Sequence, residues 1–191
     1  MSRITRTTSE LLSLPSIFLG EILSGEPQLS SELIYEAFRK FLIKHLRPVD
    51  DAVHVSELVN CLRKTYYTRI YGDPELKHIT PTKRVILGLG LSVHLVLEEI
   101  LKELGFQVEK QIVREVNGVK IAGTPDAMND NLIVEVKTVK KIPSEPLIPH
   151  YLQVNCYMGL TEIKNAYIIY INKVEGFIAI YPVVFLSLIH I

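Results

Sequence analysis

Hydrophobic and polar positions divide the chain into three zones with different periodicities. In the first, up to about Asp51, Ser31 can cap the segment SELIYEAFRKFLIKHL, and Leu33, Ile34, Phe38, Phe41, Leu42 and Leu46 recur at helical spacing. Arg47-Pro48-Val49-Asp50-Asp51 ends that helix, because a residue before proline is pushed out of the helical region. The second zone, Val53 to about Leu104, predicts a helix from Ser56-Glu57 through Tyr71, stopped by Gly72-Asp73-Pro74. Gly88 and Gly90 then punctuate the chain ahead of a further helix from about Leu91 to Leu104, which Gly105 closes as a left-handed cap.

The third zone switches to period two. Phe106 to Val116, Asn117-Gly118 and Val119 to Asp126 read as a hairpin, since Asn-Gly suits a type I′ turn. A second turn, Asn129-Asp130-Asn131, leads into Leu132 to Val139. A helix from about Pro149 to Leu160 follows, then strands near Ala166 to Ile171 and Phe177 to Phe185. This order predicts an α/β domain with a mixed sheet whose last helix crosses over one sheet face.

Composition narrows the function classes. With 48% hydrophobic and 22% charged residues in 191, a packed core is feasible and wholesale disorder is excluded. Lys plus Arg and Asp plus Glu both number 21, which excludes a globally basic, histone-like mode of nucleic-acid binding but not a local basic patch. Cys61 and Cys156 form no CxxC pair and no disulfide framework, which points to a reducing, cytoplasmic compartment. Met1 to Gly25 places Arg3 and Arg6 before the apolar stretch Leu11 to Leu19. Ser13, Pro15 and Ser16 interrupt that stretch and no A-x-A site follows, so it does not read as a signal peptide. The charge-free run Phe177 to Ile191 is shorter than the ~20 residues a bilayer requires and contains Pro182, so it reads as strand rather than anchor.

The candidate chemistry lies in the second hairpin, IAGTPDAMNDNLIVEVKTV. With its turn centred between Asp130 and Asn131, Asp126 stands opposite Glu135, and directly paired residues have Cβ atoms about 4.5–5.5 Å apart on one face. Two carboxylates so placed can chelate one divalent cation; without a cation they set like charges side by side. Lys137 points to the same face as Glu135, while Leu132, Val134 and Val136 cover the other. Each element also has a plainer reading: Glu-Val-Lys as an edge-strand ion pair, Pro125-Asp126 as turn chemistry. His94 has Glu98 one turn later on the same helix face, and Gln153 and Tyr157 fall at i and i+4 on another helix. Alone, these read as ordinary polar positions on helices. Arg63, Lys64, Arg69, Lys77, Lys83 and Arg84 interleave with Tyr66, Tyr67 and Tyr71. That span is either a surface for phosphates and unpaired bases or an amphipathic helix with its tyrosines packed inward.

In this order, Asp126, Glu135-Val136-Lys137 and Gln153-x-x-x-Tyr157, with His94 upstream in GLSVH, resemble the PD-(D/E)XK nuclease superfamily. The likeness is to its RecB-type branch, which includes the iron–sulfur exonucleases of CRISPR adaptation and archaeal viral relatives. It covers roughly Val55 to Ala166 and takes in Ser56, Cys61, Arg63, Lys64, Tyr66 and Tyr67 of SELVNCLRKTYY. The resemblance implies a restriction-endonuclease-like core over 53–191, a mixed β-sheet flanked by helices, with an N-terminal helical extension over 1–52. It implies Mg²⁺- or Mn²⁺-dependent hydrolysis of DNA by a RecB-like exonuclease acting on single-stranded or end-containing DNA, with Asp126, Glu135, His94 and the Val136 carbonyl as metal ligands. Lys137 would position the attacking water, Gln153 and Tyr157 would support the site, and Glu98 would be auxiliary. Arg63, Lys64, Tyr67, Lys140 and Lys141 would touch DNA. A structure-specific endonuclease, a non-cleaving binding module and a plain interaction protein are the alternatives on the same core, and homo-oligomerisation is left open. Cluster-bearing members supply one cysteine before the core and three near the C-terminus. Here Cys61 holds the first position and no cysteine follows Cys156, so no iron–sulfur cluster is expected and Cys61 is expected to be a buried apolar residue.

Overall fold

The computed structural model describes residues 30–45, 50–72 and 79–186. The Met1–Gly25 segment, Leu46 and the Arg47-Pro48 stop, the Asp73-Pro74 break, Lys77 and the last five residues of the Phe177–Ile191 run lie outside them. Helix α1, Ser31–Lys44, is capped by Ser30, whose hydroxyl accepts the Leu33 N–H at 3.2 Å. Strand β1, Val53–His54, passes directly into a short α2, Val55–Leu58, and then α3, Leu62–Tyr71. The single helix expected over Ser56–Tyr71 is thus broken at 59–61. Arg69 ties the two pieces together: its Nε and Nη2 donate to the two Glu57 carboxylate oxygens at 2.9 and 2.6 Å, and it also bonds the Ala52 and Asp50 carbonyls.

Gly88 and Gly90 do not interrupt the chain. Both lie inside one long helix, α4, Pro81–Glu103, which Thr80 caps and Pro81 opens. A Cβ at Gly88 would lie 2.6 Å from the Phe38 ring. The missing side chain therefore serves the close approach of α1 to α4, and packing overrides glycine's poor helix propensity. Gly105, at φ 85°, closes the helix as expected.

The strands form two sheets rather than one. β3, Ile112–Val116, and β4, Val119–Gly123, make the expected hairpin across Asn117 and Gly118, both at positive φ. With β1 parallel to β4 they give the order β1-β4-β3. β2, Gln107–Val108, β5, Ala127–Met128, β6, Ile133–Val139, β7, Ala166–Asn172, and β8, Ile178–Val183, form the second sheet, β2-β5-β6-β7-β8. Between Gly123 and Ala127 the chain leaves one sheet for the other. Pro125 sits in that crossing and has no N–H to continue a ladder. Helix α5, Ile148–Thr161, makes the crossover between the parallel neighbours β6 and β7, so the second sheet is mixed.

β6 is a central strand with both faces covered. Ile133, with Ile168 and Tyr170 of β7, packs against Val154, Tyr157 and Met158 of α5. Val134 and Val136 pack with Leu101 of α4 and with Ala127. After β8 the chain is held by α5: Tyr151 Oη and Asn155 Nδ2 donate to the Val184 carbonyl at 2.8 and 3.3 Å, and the Leu186 N–H donates to Asn155 Oδ1 at 2.6 Å. Among the described residues, no helix is long and apolar enough to cross a membrane.

Candidate active site

The β5–β6 pairing sets Met128 opposite Ile133 and Ala127 opposite Val134, the register that faces residue 126 with residue 135. At that point the backbone ladder stops and a side chain continues it: Asp126 Oδ2 accepts the Val136 N–H at 2.6 Å. The Asp126 carboxylate is thereby fixed beside β6. Glu135 is 2% exposed. One of its oxygens accepts from Lys137 Nζ at 2.6 Å, and the other, Oε2, is buried without a hydrogen-bond partner. Asp126, Glu135 and Lys137 line one cleft of about 210 Å³ with Gln153, Tyr157, Val55, Ser56, Glu109, Gly123 and Thr124.

Charge in this cleft is under-compensated. Burial first, and the neighbouring Asp126 charge second, push the Glu135 carboxyl up to about 7, with Lys137 only partly offsetting them. His94 Nδ1, on α4, stands 3.3 Å from Asp126 Oδ1, and that contact raises the imidazole above its ordinary value. Glu98, one turn on, is raised by burial and then by Asp126. Among the described residues, no three His, Cys, Asp or Glu side chains converge as a ready-made metal shell. The donor set nonetheless suits a hard divalent ion: two carboxylates share a cleft, and one buried oxygen has no partner.

Gln153 and Tyr157 reach the site from α5. Gln153 Nε2 donates to Tyr157 Oη at 2.9 Å, and Tyr157 Oη donates to the Thr124 carbonyl at 3.2 Å. The pair braces the Thr124–Asp126 segment. Gly123 makes room for it, since a Cβ there would lie 2.7 Å from the Tyr157 ring and 3.0 Å from Val55. Gly123, Thr124 and Glu109 are site residues that the sequence reading missed. The signal for two of them was the small-residue run before Pro125; Glu109 carries none, and is placed by its N–H donating to the Asp126 carbonyl at 3.2 Å.

Val136 is buried in β6 between Glu135 and Lys137 and gives its N–H to Asp126. Other expected site residues lie elsewhere: Lys140 and Lys141 are exposed at the bend beyond β6. Arg63, Lys64 and Tyr67 lie on the exposed side of α3 and do not line the cleft. Within the same basic span, Arg69 holds Glu57, and Arg84 reaches Glu36 at 3.6 Å and the Ile79 carbonyl. Cys61 is exposed, contrary to the expected burial, because the break between α2 and α3 puts it at the N-cap of α3. A network not anticipated lies next to Lys137. Tyr170, opposite it on β7, accepts the Leu147 N–H at 3.0 Å and donates to His150 Nδ1 at 2.8 Å. Burial, then the Lys137 charge, pushes His150 down to about 4.

No family model matches the chain. Its sequence is 30% identical over 146 residues to the CRISPR-associated exonuclease Cas4 of Saccharolobus solfataricus, covering 70% of this chain and 71% of that protein. Its fold is similar to the crystal structure of SSO0001, with a TM-score of 0.63 and 26% identity over 82% of this chain and 78% of that one. A weaker likeness, TM-score 0.47 and 15% identity over 70% of this chain and 77% of the other, is to an alkaline exonuclease from Laribacter hongkongensis. Identity and coverage of the Saccharolobus protein place this chain in the Cas4 family of CRISPR-associated exonucleases, within the RecB-type nucleases that its Asp126, Glu135-Val136-Lys137 and Gln153-x-x-x-Tyr157 order resembles.

Proposed function

We propose that this chain is a divalent-metal-dependent deoxyribonuclease that hydrolyses DNA from its ends. One observation carries the reading: two carboxylates and a lysine share a cleft in which Glu135 is buried with an unpartnered oxygen, a charge deficit that a cation would fill. Asp126, Glu135 and His94, with the Val136 carbonyl, would hold Mg²⁺ or Mn²⁺; oxygen donors suit both, and the imidazole nitrogen favours Mn²⁺. Such an ion, when bound, supplies an activated water and offsets charge on the transferring phosphoryl group.

The rest is the work of the chain. Lys137 Nζ, which donates to Glu135, would donate to the attacking water and offset charge that develops on the phosphate. Gln153 and Tyr157 act through the Thr124 carbonyl, fixing the segment that carries Asp126. Glu98, one turn beyond His94 on α4 and with its carboxyl raised by burial and by Asp126, is the auxiliary acid of the site. Lys140 and Lys141 are exposed beyond the Glu135 strand, where they can neutralise backbone phosphates. Within the N-terminal extension proposed over 1–52, the described helix α1 leans on the nuclease core of 53–191 through the Phe38–Gly88 contact. The two cysteines of this sequence cannot furnish the four thiolates of an iron–sulfur cluster.

The test is incubation with end-labelled linear DNA and with closed circular DNA in Mn²⁺, Mg²⁺ or chelator, beside Glu135→Ala. Loss of nucleotides from linear ends, an intact circle, and no cleavage in chelator or by the variant are expected. Cutting of the circle favours the endonuclease alternative, and wild-type cleavage by Glu135→Ala overturns the assignment of the site.

A further inference from the structure

Helix α3 turns an uncommon face to solvent. Its inner side is fixed: Thr65 Oγ1 donates to the Glu57 carbonyl, and Arg69 grips Glu57, Ala52 and Asp50. On the other side Arg63, Tyr67 and Tyr71 follow one another at i, i+4 and i+8, with Tyr66 alongside. Tyr66, Tyr67 and Tyr71 are 60%, 47% and 70% exposed, so the inward-packing reading of these tyrosines does not hold. The Tyr67 and Tyr71 rings are nearly parallel, 18° apart with centroids separated by 6.1 Å. Tyr66 stands edge-on to Tyr67 at 5.4 Å, and the Arg63 guanidinium lies 5.9 Å from the Tyr67 centroid.

Charge identifies what this face suits. The helix LRKTYYTRIY carries no acid, and with Arg69 paired to Glu57 its exposed basic residues are Arg63 and Lys64. An apolar protein partner would have no use for an acid-free basic flank, and a duplex keeps its base faces hidden within the stack. A single strand offers both complements at once: unpaired bases for the rings and phosphates for the cations. Position agrees, because α3 is clamped to the α2 segment whose Val55 and Ser56 line the cleft.

We infer that the outer face of α3 is a base-stacking platform that holds a single DNA strand beside the cleft, with Tyr67 and Tyr71 as its central rings and Arg63 on the phosphates. The inference rests on the nuclease reading and adds to it the subsite that retains the strand. The test is fluorescence anisotropy of a labelled oligothymidylate and of a duplex, with the full chain in chelator so that nothing is cut. Tyr67→Ala and Tyr71→Ala should each weaken single-strand binding about tenfold or more, while Tyr67→Phe keeps it and duplex binding is unmoved. Arg63→Ala should lower the salt dependence of binding by about one phosphate contact. With Mn²⁺, the alanine variants should raise KM on long strands and leave kcat in place. Single-strand binding within twofold of wild type in both alanine variants, or an equal loss on duplex, overturns the platform. So does a Tyr67→Phe defect as large as that of Tyr67→Ala. Because binding is read without cleavage, loss of stacking alongside a wild-type protein that hydrolyses nothing would sustain the platform and defeat the nuclease reading instead.

Discussion

Glu135→Gln removes one negative charge from a site that is 2% exposed and keeps the side chain's shape, including an oxygen that can accept from Lys137. In the metal-free protein this carboxyl titrates at about 7 instead of 4.5, because burial and Asp126 both oppose its ionisation. The unfolded chain gives up the proton near 4.5 and the folded one near 7, so between these values the unfolded state binds fewer protons. Stability therefore falls as pH rises through that window and is flat above it. At ~1.36 kcal/mol per pH unit, the accumulated cost of ionised Glu135 is on the order of 3 kcal/mol. Glutamine carries no such cost. Urea denaturation in chelator should find the two proteins equally stable near pH 4.5, with the variant ahead by roughly 3 kcal/mol at about pH 8. Adding Mn²⁺ at the higher pH should raise wild type more than the variant and close the gap, since the variant keeps Asp126 and His94 but loses one carboxylate ligand. Metal affinity of the wild type should rise at least about tenfold per pH unit below 7, because Glu135 and the imidazole of His94 must both give up a proton to bind the ion. A variant less stable than wild type at pH 8 in chelator, or a difference that does not change with pH, would refute the reasoning.

Gly123→Ala should cost about 1–3 kcal/mol by forcing a methyl to 2.7 Å from the Tyr157 ring, and cleavage should fall with it; thermal melting and initial rates measure the two effects. Gly88→Ala should lower the melting temperature through Phe38, and the Phe38→Leu double variant should recover part of the loss, a coupling that a mutant cycle quantifies. Tyr170→Phe removes the acceptor of the Leu147 N–H and the donor to His150, so chemical denaturation should show a loss of about 1–3 kcal/mol. For His150, with a folded value near 4 against 6.5, stability is full above 6.5 and declines as pH falls from 6.5 toward 4; His150→Gln should flatten that part of the acid profile.

Much of this arrangement is legible in the sequence because it depends on local rules. Asn117-Gly118 forms the turn its chemistry favours, and the Asn129–Asn131 turn sets a register that the Ala127–Val134 and Met128–Ile133 pairs follow. From that register and the alternation of a strand, Asp126, Glu135 and Lys137 fall into one cleft. What escaped depends on partners remote in the chain. Gly88 reads as a breaker until Phe38 is seen to occupy the space its side chain would take. Cys61, expected buried as an apolar residue without a cluster to hold, is exposed at the break over 59–61 that the helical pattern does not show. The bond from Tyr157 to Thr124 spans 33 residues, and the division into two sheets depends on where the chain goes after Pro125; neither has a local signature.

The grip of Tyr151 and Asn155 on the strand leaving β8 has a mechanical consequence. The same rod of helix that presents Gln153 and Tyr157 toward the cleft is anchored behind by the last described residues of the chain. Shortening the protein before Val184 would strip these bonds from the helix and leave its hold to the buried face of Val154, Tyr157 and Met158 and to the Tyr157–Thr124 bond.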